Sequence, residues 1–201
     1  MPLRLVLALW LGALANAASA AAFDGCTKAQ QVVIHEAIIG AQEITFTALF
    51  AVEDTPNFRR WYAYWTPEGS RQVRGALKSV YHVIDRGLIT ARCPKQGEPG
   101  CREAGTYASV WPHKPYQINF CPTFFDQPAF YDFPPGHWQM ENGSREGTVI
   151  HEVSHFVNTA GTDDWCYGRS TCAAKAQGNP GRALNNADSL QYFAEDAMSD
   201  L

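Results

Sequence analysis

Three observations in the sequence predict a single α+β domain. Apolar residues recur at helical spacing in the N-terminal half and again after residue 145. Between these regions lie two short runs of aromatic and β-branched residues, separated by Pro112-His113-Lys114-Pro115, which read as a small antiparallel sheet. The chain has 201 residues, 46% hydrophobic and 18% charged, which suits one buried core and is too apolar for disorder. Its formal charge of −4 lacks the electrostatic footprint of a sequence-independent nucleic-acid binder.

Residues 1–20, MPLRLVLALWLGALANAASA, read as a secretory signal peptide. Arg4 is the positive n-region, Leu5 to Leu14 the apolar stretch, and Ala18-Ser19-Ala20 the cleavage site. The stretch is too short to span a bilayer. The expected mature unit is 21–201, exported and monomeric, with no membrane partner. Losing Arg4 moves the formal charge from −4 to −5.

The mature chain opens on a helix. Thr27 with Gln30 matches a capping box, and Val33, Ala37, Ile38, Ala41, Ile44 and Ala48 follow at helical spacing. Pro56 and the aromatic stretch Trp61 to Trp65 interrupt. Pro67-Glu68-Gly69-Ser70 opens a second helix with the stripe Val73, Leu77, Val80, Tyr81, Ile84 and Leu88. Residues 93–101 form a Pro/Gly loop, and Thr106–Trp111 and Tyr116–Phe120 are the two strands. Residues 122–143 carry four prolines and many aromatics, as an ordered surface loop would. Asn142-Gly143-Ser144 is the sole N-glycosylation sequon.

Six cysteines lie in the exported part: Cys26, Cys93, Cys101, Cys121, Cys166 and Cys172. An even count in an oxidising compartment reads as three disulfides, for which 15 pairings exist. Local spacing favours Cys166 with Cys172 and Cys101 with Cys121, which leaves Cys26 with Cys93. A cysteine metal site lacks support because no C-x-x-C occurs.

The strongest chemical signal is His151-Glu152-Val153-Ser154-His155, inside a helical stretch expected from Arg145 to Thr159. Three fixed residues of these types recur by chance in under about one chain in a hundred of this length. On a helix, positions i and i+4 lie one above the other, so both imidazoles can reach one Zn2+ ion. Glu152 then faces the same cleft and can take a proton from the water that the ion activates. A third histidine in the metzincin position is absent, because Asn158 and Gly161 stand where that pattern needs Gly and His. Gly161 is expected to end the helix in a left-handed turn, and the chain doubles back to bring a carboxylate, Asp164 in preference to Asp163, to the ion.

The helix followed by Gly161-Thr162-x-Asp164-x-x-Tyr167-Gly168 resembles the aspzincin family, the deuterolysins and peptidyl-lysine metalloendopeptidases. Asn186-Ala187-Asp188, Tyr192-Phe193 and Glu195 are similar to the C-terminal helix of the peptidyl-lysine type. The spacing of Cys101 and Cys121 and the early Cys26 also fit that layout. The resemblance implies a zincin-like domain with a helical N-terminal half, a short antiparallel sheet, a zinc-binding helix and a C-terminal helix. It implies one Zn2+ on His151, His155 and Asp164, with Glu152 as general base. Tyr167 would donate to the oxyanion of the tetrahedral intermediate.

It further implies an endopeptidase acting on proteins or peptides and favouring lysine on the carboxyl side of the cleaved bond. Asp188 matches an acidic residue of the lysine pocket, whereas Gln191 stands where the family has Glu. For Asp188 the competing expectation is a helix N-cap. Family members carry a long inhibitory propeptide, and only a few residues separate the signal peptide from Cys26. The alternative function is a secreted, non-catalytic zinc protein that acts by contact.

Overall fold

The computed structural model describes residues 21–132 and 141–198. The expected signal peptide lies outside the described residues. Thr27 starts helix α1 (Lys28–Phe50) with the expected capping box: its side chain accepts from the Gln30 amide, and the Gln30 side chain accepts from the Thr27 amide at 2.9 Å. Ile34, Ala37, Ile38, Ala41, Ile44 and Ala48 form the buried stripe. By length and composition α1 could cross a membrane, but its inner face packs against three helices of the same domain.

The aromatic stretch after Pro56 is not a simple interruption. Thr55 caps a short helix, α2 (Pro56–Tyr62), with Pro at its start and Phe58, Trp61 and Tyr62 buried. Their spacing of three and four is helical, and Pro at the first helical position loses no hydrogen bond. Thr66 caps α3 (Pro67–Asp85), which buries Val73, Leu77, Val80 and Ile84. The expected stripe overreached at its end. Leu88 lies past the helix and is 41% exposed. Tyr81 is half-buried and packs on Phe46.

The sheet is mixed rather than wholly antiparallel. Strands β1 (Ala22–Asp24), β2 (Thr90–Arg92), β3 (Ala108–Val110) and β4 (Gln117–Phe120) lie in the order β1-β2-β4-β3. β3 pairs antiparallel with β4 in the expected hairpin, and Ser109 faces Asn119. β1 with β2 and β2 with β4 are parallel. Two of these strands have only three residues, too few to show an alternating pattern in sequence.

Three disulfides close as local spacing favoured: Cys26–Cys93, Cys101–Cys121 and Cys166–Cys172. The first bridges 67 residues and ties β1 to the end of β2, a loop worth about 4 kcal/mol in the chain-entropy model. The segment after Cys121 contains two 3-10 turns, Pro122–Asp126 and Phe130–Asp132, and buries Phe124. Residues 133–140 of the expected surface loop lie outside the described residues.

Ser144, the last residue of the sequon, is buried and caps α4 (Arg145–His155) through the Gly147 amide at 3.0 Å. Ten of the eleven residues of α4 are buried, because α1, α3 and α7 (Ala187–Ala197) enclose it. Helices α5 (Arg169–Gly178) and α6 (Pro180–Ala183) complete the domain.

Burial of α4 has a pH consequence at Glu146. Burial pushes its carboxyl above the usual carboxylate range, against a hydrogen bond from the Phe130 amide. Between the unfolded and the raised folded value, the folded protein therefore holds a proton here that the unfolded chain has released. Stability from this group is full below the unfolded pKa of about 4.3 and is lost as pH rises through the folded value. Glu146→Gln is expected to gain on the wild type as pH rises across that window, in denaturant titrations at several pH values. A constant difference at all pH values would contradict this.

Candidate active site

Two chain segments, helix α4 and the loop after it, deliver the three side chains expected to hold a metal. His151 and His155 come from α4 and both are 8% exposed. The helix ends sooner than expected. Phe156 leaves helical geometry at φ −60°, ψ 132°, and Gly161 takes its left-handed turn (φ +61°) in the loop beyond. That loop is tied back: the Thr162 amide donates to the Ser154 carbonyl at 3.2 Å. The Asp163 amide donates to the Asn185 carbonyl at 2.9 Å, and the Ala187 amide to the Asp163 carbonyl at 3.0 Å. The parallel bridge between Asp163 and Asn186 thus holds Asp164 over the helix.

The imidazole orientations are fixed from behind. His155 Nδ1 lies 2.8 Å from the Thr162 carbonyl, and His151 Nδ1 lies 2.8 Å from Asp188 Oδ1. Each ring therefore turns Nε2 to the same point. The two Nε2 atoms are 3.0 Å apart, and Asp164 Oδ1 is 3.3 Å and 3.4 Å from them. A tetrahedral ion with ligands at about 2.0–2.1 Å separates them by about 3.3 Å. The donor triangle has the size and the N, N, O chemistry of a zinc site with one face open.

Charge on these groups follows from the same contacts. Burial opposes ionisation at Asp164, but hydrogen bonds from His151 and His155 overcome it and hold the carboxyl far below its ordinary range. Burial likewise opposes charge on the His151 ring, and the carboxylates of Asp164 and Asp188 reverse the balance upward. Glu152 is 5% exposed, and burial raises its carboxyl above the ordinary range against the pull of the two histidines. Burial and the adjacent Asp164 raise the Tyr167 phenol, so it stays a proton donor at neutral pH. Tyr167 is 63% exposed and stacks on His151 at 6.3 Å between ring centres.

All these groups line one cleft of about 760 Å³. Its acidic lining residues are Glu103, Glu152, Asp163, Asp164 and Asp188, and no Lys or Arg lines it among the described residues. Strand β3 forms part of its wall and stands at the sheet edge.

Asp188 is not a helix N-cap; Asn186 holds that position, and Asp188 sits in the first turn of α7. Both its oxygens are engaged, Oδ1 by His151 and Oδ2 by the Gly168 amide at 2.8 Å. Gln191 is 3% exposed and donates to Glu195 Oε1 at 3.4 Å. Its amide lies so close to the backbone of Gly143 that a Cβ there would overlap it at 1.8 Å.

Several supporting residues escaped the sequence reading. Ser154 Oγ donates to the His151 carbonyl at 2.6 Å and pairs with Thr162 Oγ1 at 2.5 Å. Asn186 Oδ1 accepts from the amides of Trp165 and Cys166, just after Asp164. The Gly-Thr-x-Asp and Asn-Ala-Asp motifs contain Thr162 and Asn186, but only the folded loop shows what each does.

Comparison with known proteins agrees with this geometry. The family model of the aspzincin lysine-specific metallo-endopeptidases matches residues 48–195. An extracellular protease of Aeromonas hydrophila is 32% identical over 89% of this chain and 48% of its own length. A peptidyl-Lys metalloendopeptidase of Pleurotus ostreatus is 30% identical over 87% of this chain and 96% of its own length. The chain thus spans about half the length of the first relative and nearly all of the second. A zinc peptidase from Grifola frondosa shares the fold, with a TM-score of 0.72 and 24% identity over 85% of this chain and 97% of that one. The matched segment contains the donor triangle, Glu152 and Tyr167, and on that span the chain belongs to the aspzincin family of lysine-specific metallo-endopeptidases.

Proposed function

We propose that the protein is a secreted zinc endopeptidase that hydrolyses peptide bonds on the amino side of lysine. The observation that carries the reading is the triangle of His151 Nε2, His155 Nε2 and Asp164 Oδ1 inside an acidic cleft that also holds Glu152 and Tyr167. One bound Zn2+ ion would supply Lewis acidity and lower the pKa of a coordinated water to about 7. Glu152, buried and with a raised pKa, takes the proton of the attacking water and returns it to the leaving amine. Tyr167 donates a hydrogen bond from its phenol to the oxygen on which charge develops and keeps its proton. Asp188 fixes the His151 ring and its tautomer.

The open edge of β3 suits an extended peptide. The Cys121 amide bonds the Tyr107 carbonyl, so the alternate residues Ala108 and Val110 turn their backbone groups away from β4. A substrate strand can pair there. The five carboxylates of the cleft favour a cationic side chain. The three disulfides and the sequence of residues 1–20 support export.

The test is cleavage-site profiling of a denatured proteome by zinc-loaded protein, with Glu152→Ala as control. Enrichment of lysine immediately after the cut supports the reading, and cleavage no greater than the control overturns it. Retention of full biological effect by Glu152→Ala would favour a contact-acting zinc protein instead. Gln191→Glu adds a charge to the pocket and is expected to raise the share of cuts before lysine. An unchanged profile would place the lysine pocket elsewhere.

A further inference from the structure

Tyr167 poses a positioning problem. Its ring is 63% exposed and stacks on the His151 ring at 6.3 Å between centres, so few contacts around the ring hold the phenol where charge develops. The backbone on either side therefore carries much of the task of placing it. On one side lies Asp164, whose loop the bridge to Asn186 fixes. On the other lie Gly168, whose amide donates to Asp188, and Arg169.

Arg169 is anchored at several points. Nη2 lies 2.6 Å from Glu195 Oε2, and Nη1 lies 2.5 Å from Asp196 Oδ1. The guanidinium also sits over the Tyr192 ring at 4.7 Å and the Trp61 ring at 5.7 Å. Glu195 is 1% exposed and has a second task. Its Oε1 accepts from the Ser144 amide at 2.9 Å and the Ser144 hydroxyl at 2.7 Å, at the cap of the helix that carries His151 and His155. One buried carboxylate therefore joins the start of α4 to the residue two places after Tyr167. The planar guanidinium suits this task because its fork fixes direction as well as distance.

We infer that Arg169 and Glu195 are positioning residues for Tyr167, setting the phenol relative to the zinc helix during hydrolysis. This rests on the endopeptidase reading above. Neither residue lines the cleft, and the pair acts through the Tyr167 backbone. Arg169→Met would take the guanidinium from two buried carboxylates, which keep their Ser144, Gln191, Trp61 and Arg60 donors, and is expected to destabilise the protein, so it is not a clean test. Arg169→Lys keeps the charge and loses the fork. Glu195→Gln is the second variant, because it keeps an acceptor for Ser144 and weakens the hold on Arg169.

The test is a double-mutant cycle on the zinc-loaded, full-length protein with a lysine-containing peptide. Tyr167→Phe alone is expected to lower kcat by about 10²–10³-fold, the usual loss for one oxyanion donor. Arg169→Lys and Glu195→Gln are each expected to lower kcat by about tenfold or more, with KM and bound zinc near wild type. In the Tyr167→Phe background neither should lower kcat further, because the group they position is gone. Equal losses in both backgrounds, losses that track lost zinc, or no loss would each overturn the inference. Wild type no better than Glu152→Ala would instead overturn the endopeptidase reading.

Discussion

Replacing Glu152 with Gln is expected to lower kcat/KM by about 10²–10⁴-fold, the range associated with a positioned general base. Gln keeps the shape of the side chain and cannot take a proton. Bound zinc should stay at the wild-type ratio, because Glu152 is not among the three donors that converge. Folding should hold or improve, since burial disfavours the carboxylate at this position and the amide removes that cost. Metal analysis, thermal unfolding and peptide hydrolysis on one preparation check all three. A variant with wild-type hydrolysis would remove Glu152 from the chemistry, and one that loses zinc would make it part of the metal site.

The second large effect is expected at Asp188. Asp188→Ala removes the acceptor for His151 Nδ1 and for the Gly168 amide together. Partners behind a metal-binding histidine are typically worth about 10–100-fold in metal affinity or activity. Zinc affinity, measured by competition with a chromophoric chelator, is expected to fall within that range. Asp188→Asn keeps an acceptor and loses the charge, so its loss should be smaller. A variant with altered lysine preference and unchanged zinc affinity would assign Asp188 to the substrate alone.

These two residues differ in how readily their roles could be read. Glu152 stands inside a five-residue pattern whose helical spacing dictates its geometry. Helix periodicity alone puts His151 and His155 on one face. Asp164 was legible through the doubling back after Gly161, although the helix in fact ends at His155. Asp188 could be matched to a motif, but its partner His151 lies 37 positions earlier in the chain. No local pattern reports a contact of that range.

Strands show the same limit. The hairpin of β3 and β4 was visible because its halves are close in sequence and rich in β-formers. The parallel strands β1 and β2 were not, because each has three residues and their pairing spans 68 positions. Helix α2 was hidden inside an aromatic run until burial of Phe58, Trp61 and Tyr62 showed which face mattered.

The sequence by itself pointed to the three side chains that converge, the helix that carries two of them, the disulfide partners favoured by spacing and the family. Each of these depends on local spacing, which backbone geometry turns directly into proximity. Only the tertiary structure decided that the two Nε2 atoms face each other beside Asp164 Oδ1, that Asp188 stands behind His151, and that Glu195 joins Ser144 to Arg169. Those are contacts between segments far apart in the chain. Packing of α4 among α1, α3 and α7 creates them, and that packing also excludes the water that would otherwise weaken each one.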